Sequence, residues 1–151
     1  MKRPHIFLAV VLAATAGAAT VASAKPGIPD ARSSSAATVQ LRHTSLGSIL
    51  VNSSGHTLYE FTRDRAGRNS CAAVRGCSEI WPSLKASGRP TAGSGVKASL
   101  LSSTSGKQVT YAGHPLYTYS GSYGAGETAY VGAKQFGGTW YAVSASGGAV
   151  K

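Results

Sequence analysis

The side chains able to do chemistry in this chain are few: five Asp and Glu, four His and two Cys among 151 residues. His56 and His114 each follow a glycine and precede a Leu-Tyr pair by one residue, so they occupy equivalent positions. A pseudo-twofold axis would bring them together, and imidazole is a good ligand for Zn or Cu. Against a metal, both follow a turn glycine, where an exposed polar residue is ordinary, and the sulfur ligands are better explained as oxidised. Metal binding at His56 and His114 is therefore disfavoured, and no cofactor is expected. Cys71 and Cys77, with five residues between them, lie in the part of the chain that an export leader would deliver to an oxidising compartment, so a disulfide is expected. Haem attachment would need two residues between the cysteines and a following His, which Cys77-Ser78 does not supply. A blue-copper site commonly needs a thioether, and the only methionine is Met1.

Catalysis finds little support. There is no Gly-x-Ser-x-Gly elbow, no His-Glu-x-x-His and no phosphate-cradling glycine loop. Asp30 sits in a spacer, and Glu60, Glu79 and Glu127 have no recognisable partners in the sequence, so a non-enzyme is expected.

The elements that must position these residues read as β-structure. Residues 25–37 carry two prolines and no apolar period, which marks a flexible spacer, and the folded domain begins near Thr38 and runs to residue 151. Beyond it, short runs of Val, Leu, Tyr and Thr are broken by Gly, Ser and Asn, and nothing sustains a helical period. Ser48 to Val51, the turn Asn52 to Gly55, and His56 to Thr62 predict a hairpin.

That hairpin recurs. Gly55-His56-Thr57-Leu58-Tyr59-Glu60-Phe61 aligns with Gly113-His114-Pro115-Leu116-Tyr117-Thr118-Tyr119 at an offset of 58, and Trp81 aligns with Trp140 at an offset of 59. Two degenerate repeats follow, about 46–88 and 107–147, joined by a Ser-, Gly- and Thr-rich connector. Strand alternation groups Tyr59 with Phe61 and Tyr117 with Tyr119, each pair facing away from Leu58 and Leu116. These rings suit an apolar core better than a ligand platform. The fold class expected is all-β, mainly antiparallel, with barrel and sandwich both open.

The N-terminus carries its own signal. Met1, Lys2 and Arg3 lead into an apolar run ending at Ala22-Ser23-Ala24, which reads as a secretory signal peptide cleaved after Ala24. No cysteine precedes Cys71, so a lipid-anchored cysteine near the leader is not expected, nor a transmembrane anchor after cleavage. Losing Lys2 and Arg3 from the 15 basic residues leaves 13 against 5 acids, a basic exported chain that would attract polyanions. The basic residues are scattered apart from Arg63, Arg65 and Arg68, and no nucleic-acid motif accompanies them, so specific nucleic-acid binding is not expected.

Tyr59-x-Phe61-x-x-Asp64, the preceding Ile49-Leu50-Val51 and Gly55-x-Thr57-Leu58, the cysteine pair and Trp81-Pro82 resemble the bacterial "secreted repeat of unknown function", predicted lipoproteins with a Yx(FWY)xxD motif. The resemblance covers about residues 46 to 147, including Gly88-x-Pro90-x-Ala92-Gly93 and Phe136-Gly137-Gly138-x-Trp140-Tyr141. It implies tandem repeats in exported proteins and no established reaction or ligand. Two departures stand out: the lipidation cysteine is missing, and the second repeat places Ser122 where the motif has Asp64. Asp64 reads as a turn cap, a role Ser122 can share, in preference to a ligand-site residue, of which the chain would then hold one site and not two.

The functional expectation is a non-catalytic envelope or extracellular module. Tyr59, Phe61, Tyr117 and Tyr119 with Asp64, Arg63, Arg65 and Arg68 form its candidate surface for an anionic envelope polymer or a carbohydrate. The alternative is an extracellular redox or metal-binding protein. Oligomeric state is not readable from the pattern.

Overall fold

The computed structural model describes residues 38–151. The predicted signal peptide with its Ala24 cleavage site and the spacer 25–37 lie outside the described residues.

Strands β1 (Val39–Thr44) and β2 (Gly47–Asn52) form a full-length antiparallel hairpin. Strand β3 (Tyr59–Phe61) pairs with β8 (Gly138–Val143), whose other edge holds β7 (Ala133–Gln135) and β9 (Ala149–Val150). A third sheet runs β4 (Leu101–Ser103), β5 (Val109–Tyr111), β6 (His114–Pro115). A short helix, α1 (Cys77–Ile80), and two turns of 3₁₀ helix at Cys71–Ala73 and Ala98–Leu100 complete the fold. All strand pairs are antiparallel, and the three sheets do not close into a barrel.

The predicted hairpin is altered in one respect. The main partner of β2 is β1, while the segment after the 52–55 turn pairs with the end of β2 through a single bridge, Val51 opposite Thr57, with the Asn52 N–H donating to His56 O at 2.8 Å and the Leu58 N–H to Leu50 O at 2.9 Å. Residues 39–44 mix Val and Leu with Gln, Arg, His and Thr, and so give little strand signal by themselves; β2 recruits them as its edge. Strand β4 likewise lies inside the stretch that reads as a connector.

Equivalent residues of the two repeats pair with each other at Tyr59 and Tyr117. The Tyr59 N–H donates to Tyr117 O at 2.9 Å and the Tyr117 N–H donates back to Tyr59 O at 3.0 Å, which places a pseudo-twofold axis between the two tyrosines. On either side the repeats exchange strands. Tyr59 lies opposite Ala142 of repeat two, and Tyr117 opposite Ser83 of repeat one. Val143 N–H donates to Leu58 O at 3.2 Å, as Leu84 N–H does to Leu116 O at 2.9 Å. The sheet of β3, β7, β8 and β9 is therefore built from both halves.

Period-2 alternation then divides the core. Leu58 and Leu116 point into an aliphatic cluster with Val39, Leu50, Val109 and Val143. Tyr59, Phe61 and Tyr117 point the other way, into an aromatic cluster with Trp81, Trp140 and both cysteines.

Candidate functional site

Trp81 and Trp140 stack on the axis, ring centroids 4.1 Å apart and 2° from parallel. Phe61 covers the far face of Trp140 at 4.1 Å, and Tyr119 covers Trp81 at 4.8 Å with Tyr130 beyond it at 3.8 Å. Tyr59 meets Trp81 edge-on and Tyr117 meets Trp140 edge-on, both at 5.1 Å. Every one of these tyrosine and phenylalanine contacts with Trp81 or Trp140 joins different repeats, except Tyr117 on Trp140 and Tyr59 on Trp81. Each such pair is worth about 0.5–1.5 kcal/mol beyond the area it buries. The stack demands a close backbone approach at Gly138, where an added Cβ would stand 2.5 Å from the Phe61 ring. Phe136 and Gly137, at φ 55° and 76°, make the tight turn that delivers it.

This geometry corrects the aromatic part of the candidate surface. Tyr59, Phe61 and Tyr117 are at most 2% exposed, so their rings present nothing to a ligand; Tyr119 is half-buried under Tyr130. The reason is the central pairing, which turns both aromatic faces toward each other.

It also corrects the paired-histidine idea. The axis passes between Tyr59 and Tyr117 in an antiparallel pair, so His56 and His114 project from opposite ends, about 20 Å apart along the strands at ~3.3 Å per residue. Among the described residues no group of three or more His, Cys, Asp or Glu is placed to hold a metal ion.

Instead His114 meets Glu60. Its Nδ1 lies 3.6 Å from Glu60 Oε2, too long for a hydrogen bond, and that buried oxygen has no hydrogen-bond partner. Burial pushes the Glu60 carboxyl above its ordinary range; His114 opposes the shift and Asp64 adds to it. The sequence shows Glu60 without a partner because that partner comes from the other repeat, and only strand pairing reveals it.

Asp64 is spent internally. Oδ1 accepts the Ser70 N–H at 2.7 Å and Oδ2 accepts the Tyr117 hydroxyl at 2.7 Å. Burial raises its carboxyl despite both donors, which pull the other way. Burial and the neighbouring Asp64 in turn push the Tyr117 phenol far up. The turn itself forms in both repeats, from Asp64 N–H to Phe61 O at 2.9 Å and from Ser122 N–H to Tyr119 O at 3.2 Å. In repeat two the Tyr59 hydroxyl, lacking an Asp, donates to the backbone carbonyl of Glu127 at 3.3 Å.

Cys71 and Cys77 form a disulfide, with S–S 2.03 Å and Cα–Cα 5.4 Å. It closes the loop that starts α1 and sets Trp81 at the end of that helix. The Arg cluster divides: Arg63 Nη1 donates to Phe136 O at 2.7 Å, clipping repeat one to the β7–β8 turn, while Arg65 and Arg68 flank a tight turn and face solvent.

Charge is distributed unevenly in depth. All eleven Lys and Arg of residues 38–151 are exposed, whereas Glu79 is the one exposed carboxylate of four. Among the described residues no Lys or Arg pairs with a carboxylate; the single acid–base contact is that of His114 with Glu60.

The fold and these contacts define an all-β protein of two interlocked tandem repeats with a cross-repeat aromatic spine. Residues 41–85 and 99–144 each match the family model described as a secreted repeat of unknown function, and because the two stretches cover more than half of the chain, the protein belongs to that family. A search of curated proteins finds no match, and neither does a search of solved structures. No helix among the described residues is long and apolar enough to cross a membrane.

Proposed function

We propose that this protein is a non-catalytic extracytoplasmic module that binds an anionic polymer of the cell envelope through its basic surface, after export and cleavage following Ala24. The observation that supports the reading is the sorting of charge: eleven exposed cations without carboxylate partners, and three of four acids withdrawn from solvent. Unpaired surface cations create a long-range positive field, which speeds encounter with polyanions and weakens as salt rises. The exposed cations contribute together through this diffuse field, each alone a small part of it; the buried rings supply rigidity and do not touch the ligand.

Retention of the secreted protein on immobilised anionic wall polymer, measured over a salt series, tests this. Retention that falls steadily with salt, with no turnover of the polymer, supports it. Passage through the column at low salt, or cleavage of the polymer, overturns it. Intact mass of the secreted protein checks processing, with a chain starting at Lys25 as the expected result.

A further inference from the structure

We infer that the anionic ligand is a phosphodiester-linked polyol chain, held in a groove that runs along both sides of Lys85; this rests on the polyanion-binding reading above. Two adjoining hollows of about 500 and 380 Å³ share Lys85 in their walls. The first is lined by Asn69, Ser83, Thr104 and Gln108, the second by Thr38, Thr91 and Arg89, with no carboxylate and no aromatic ring in either.

What recommends a phosphodiester is which side of each polar group remains for a ligand. The Asn69 amide donates to Ser83 Oγ at 2.9 Å and to Gln108 Oε1 at 2.8 Å, while Gln108 Nε2 donates to Leu116 O at 3.2 Å. Ser83 Oγ therefore accepts from the protein, and its own hydroxyl proton is left for an outside acceptor. Thr104 Oγ1 is used the same way, accepting the Gln108 N–H at 3.3 Å. In the second hollow Thr38 Oγ1 accepts the Thr91 N–H at 3.2 Å and Thr91 Oγ1 accepts the Thr38 N–H at 3.1 Å; the two hydroxyls also share a 3.5 Å contact, so one donates to the other and a single hydroxyl proton of the pair is left for a ligand. The lining thus offers hydroxyl donors and the cations Lys85 and Arg89, which matches phosphate oxygens, acceptors with a charge. Without a ring to stack on, a neutral glycan gains little here.

Position along the chain explains the arrangement. Leu84 N–H donates to Leu116 O at 2.9 Å and Leu84 O accepts the Val109 N–H at 2.8 Å, which ties Leu84 to both strands of repeat two just where Leu116 N–H donates to Val109 O at 2.9 Å. Alternation then turns Ser83 and Lys85 outward together. Two hollows meeting at one lysine suit a repeating anion better than a single phosphate.

The test titrates poly(glycerol phosphate) against the secreted protein, with inorganic phosphate and poly-aspartate as parallel probes at one salt concentration. Lys85→Gln and Ser83→Ala are compared with Arg68→Gln, which removes the same charge from the exposed turn; melting temperature confirms that each variant folds. The expected result is that Lys85→Gln weakens the polymer about tenfold, Ser83→Ala weakens it without a charge change, and Arg68→Gln has a small effect. Equal losses for Lys85→Gln and Arg68→Gln, with Ser83→Ala silent, overturn the groove and leave the surface reading standing. Inorganic phosphate competing as well as the polymer overturns the polymeric ligand, and poly-aspartate matching it overturns the phosphodiester. Wild-type protein that binds no probe overturns the surface reading itself.

Discussion

Repeat one and repeat two build the same frame and finish it differently. Both present a Gly-His-x-Leu-Tyr strand, the same turn after the second aromatic, and a Trp that packs on the axis. Outside that frame the two part. Repeat one closes its loop with the Cys71–Cys77 disulfide and α1, and receives the partner tyrosine hydroxyl on Asp64. Repeat two closes with the β7–β8 hairpin and receives Tyr59 on a backbone carbonyl. Even the tryptophans differ: Trp81 Nε1 donates to Gln135 at 2.7 Å, whereas Trp140 Nε1 is buried without a partner. At an offset of 59, the position matching Gln135 is Gly76, which has no side chain to offer. The shared frame is what folding requires of both halves, and the unshared loops are where each half acquired its own chemistry.

Removing a tryptophan is the most severe way to break the likeness. Trp81→Ala and Trp140→Ala should each cost about 3–5 kcal/mol and unfold the protein as a whole, because each ring anchors both repeats. Urea unfolding measures this; loss of one repeat with the other intact would refute the interlocked frame. The Phe variants sharpen the comparison. Trp81→Phe loses the hydrogen bond to the exposed Gln135, whereas Trp140→Phe removes an orphaned buried N–H, so Trp140→Phe should be the milder by about 1 kcal/mol.

Asp64→Ala leaves the Tyr117 hydroxyl and the Ser70 N–H without an acceptor, at a cost of about 2–3 kcal/mol. The matching Ser122→Ala should cost under about 0.5 kcal/mol, because Ser122 supports no tyrosine. Equal losses in thermal unfolding would mean that Asp64 acts only through its turn.

Reduction of the disulfide should remove about 2 kcal/mol, the contribution of closing a short loop in the unfolded chain. Hydrogen exchange should then rise in residues 71–80 and leave the β7–β8 hairpin of repeat two protected.

The smallest effect concerns pH. Burial raises the carboxyls of Glu60 and Asp64, so between the ordinary carboxylate range near about pH 4 and their raised values the folded state binds more protons than the unfolded one. Their contribution is therefore fully present below that window and declines as pH rises through the raised values. Glu60→Gln removes a carboxylate whose buried oxygen has no hydrogen-bond partner and should flatten the decline. Urea unfolding at a series of pH values reads both; a steeper decline in Glu60→Gln would refute the assignment.

Much of the frame was legible because it is local. The repeat, the alternating aromatic and leucine faces, the turns at Gly55 and Gly113, where φ is 85° and 82°, and the cysteine pair depend on neighbours a few residues apart. Strand β1 was not legible, since its polar mixture becomes a strand only beside β2. Nor were the two hollows beside Lys85, whose walls join residues from 38 to 108.

The amino-acid sequence by itself thus determined an all-β chain of two like halves, the outward and inward sides of its strands, and an excess of positive charge. Tertiary structure alone decided that the halves exchange strands about Tyr59 and Tyr117, that Trp81 lies on Trp140, and that the histidines part while His114 finds Glu60. The physical reason is range: side-chain alternation and turn chemistry act over two to four residues, whereas strand register is chosen by packing between segments more than fifty residues apart, where the sequence carries no spacing rule.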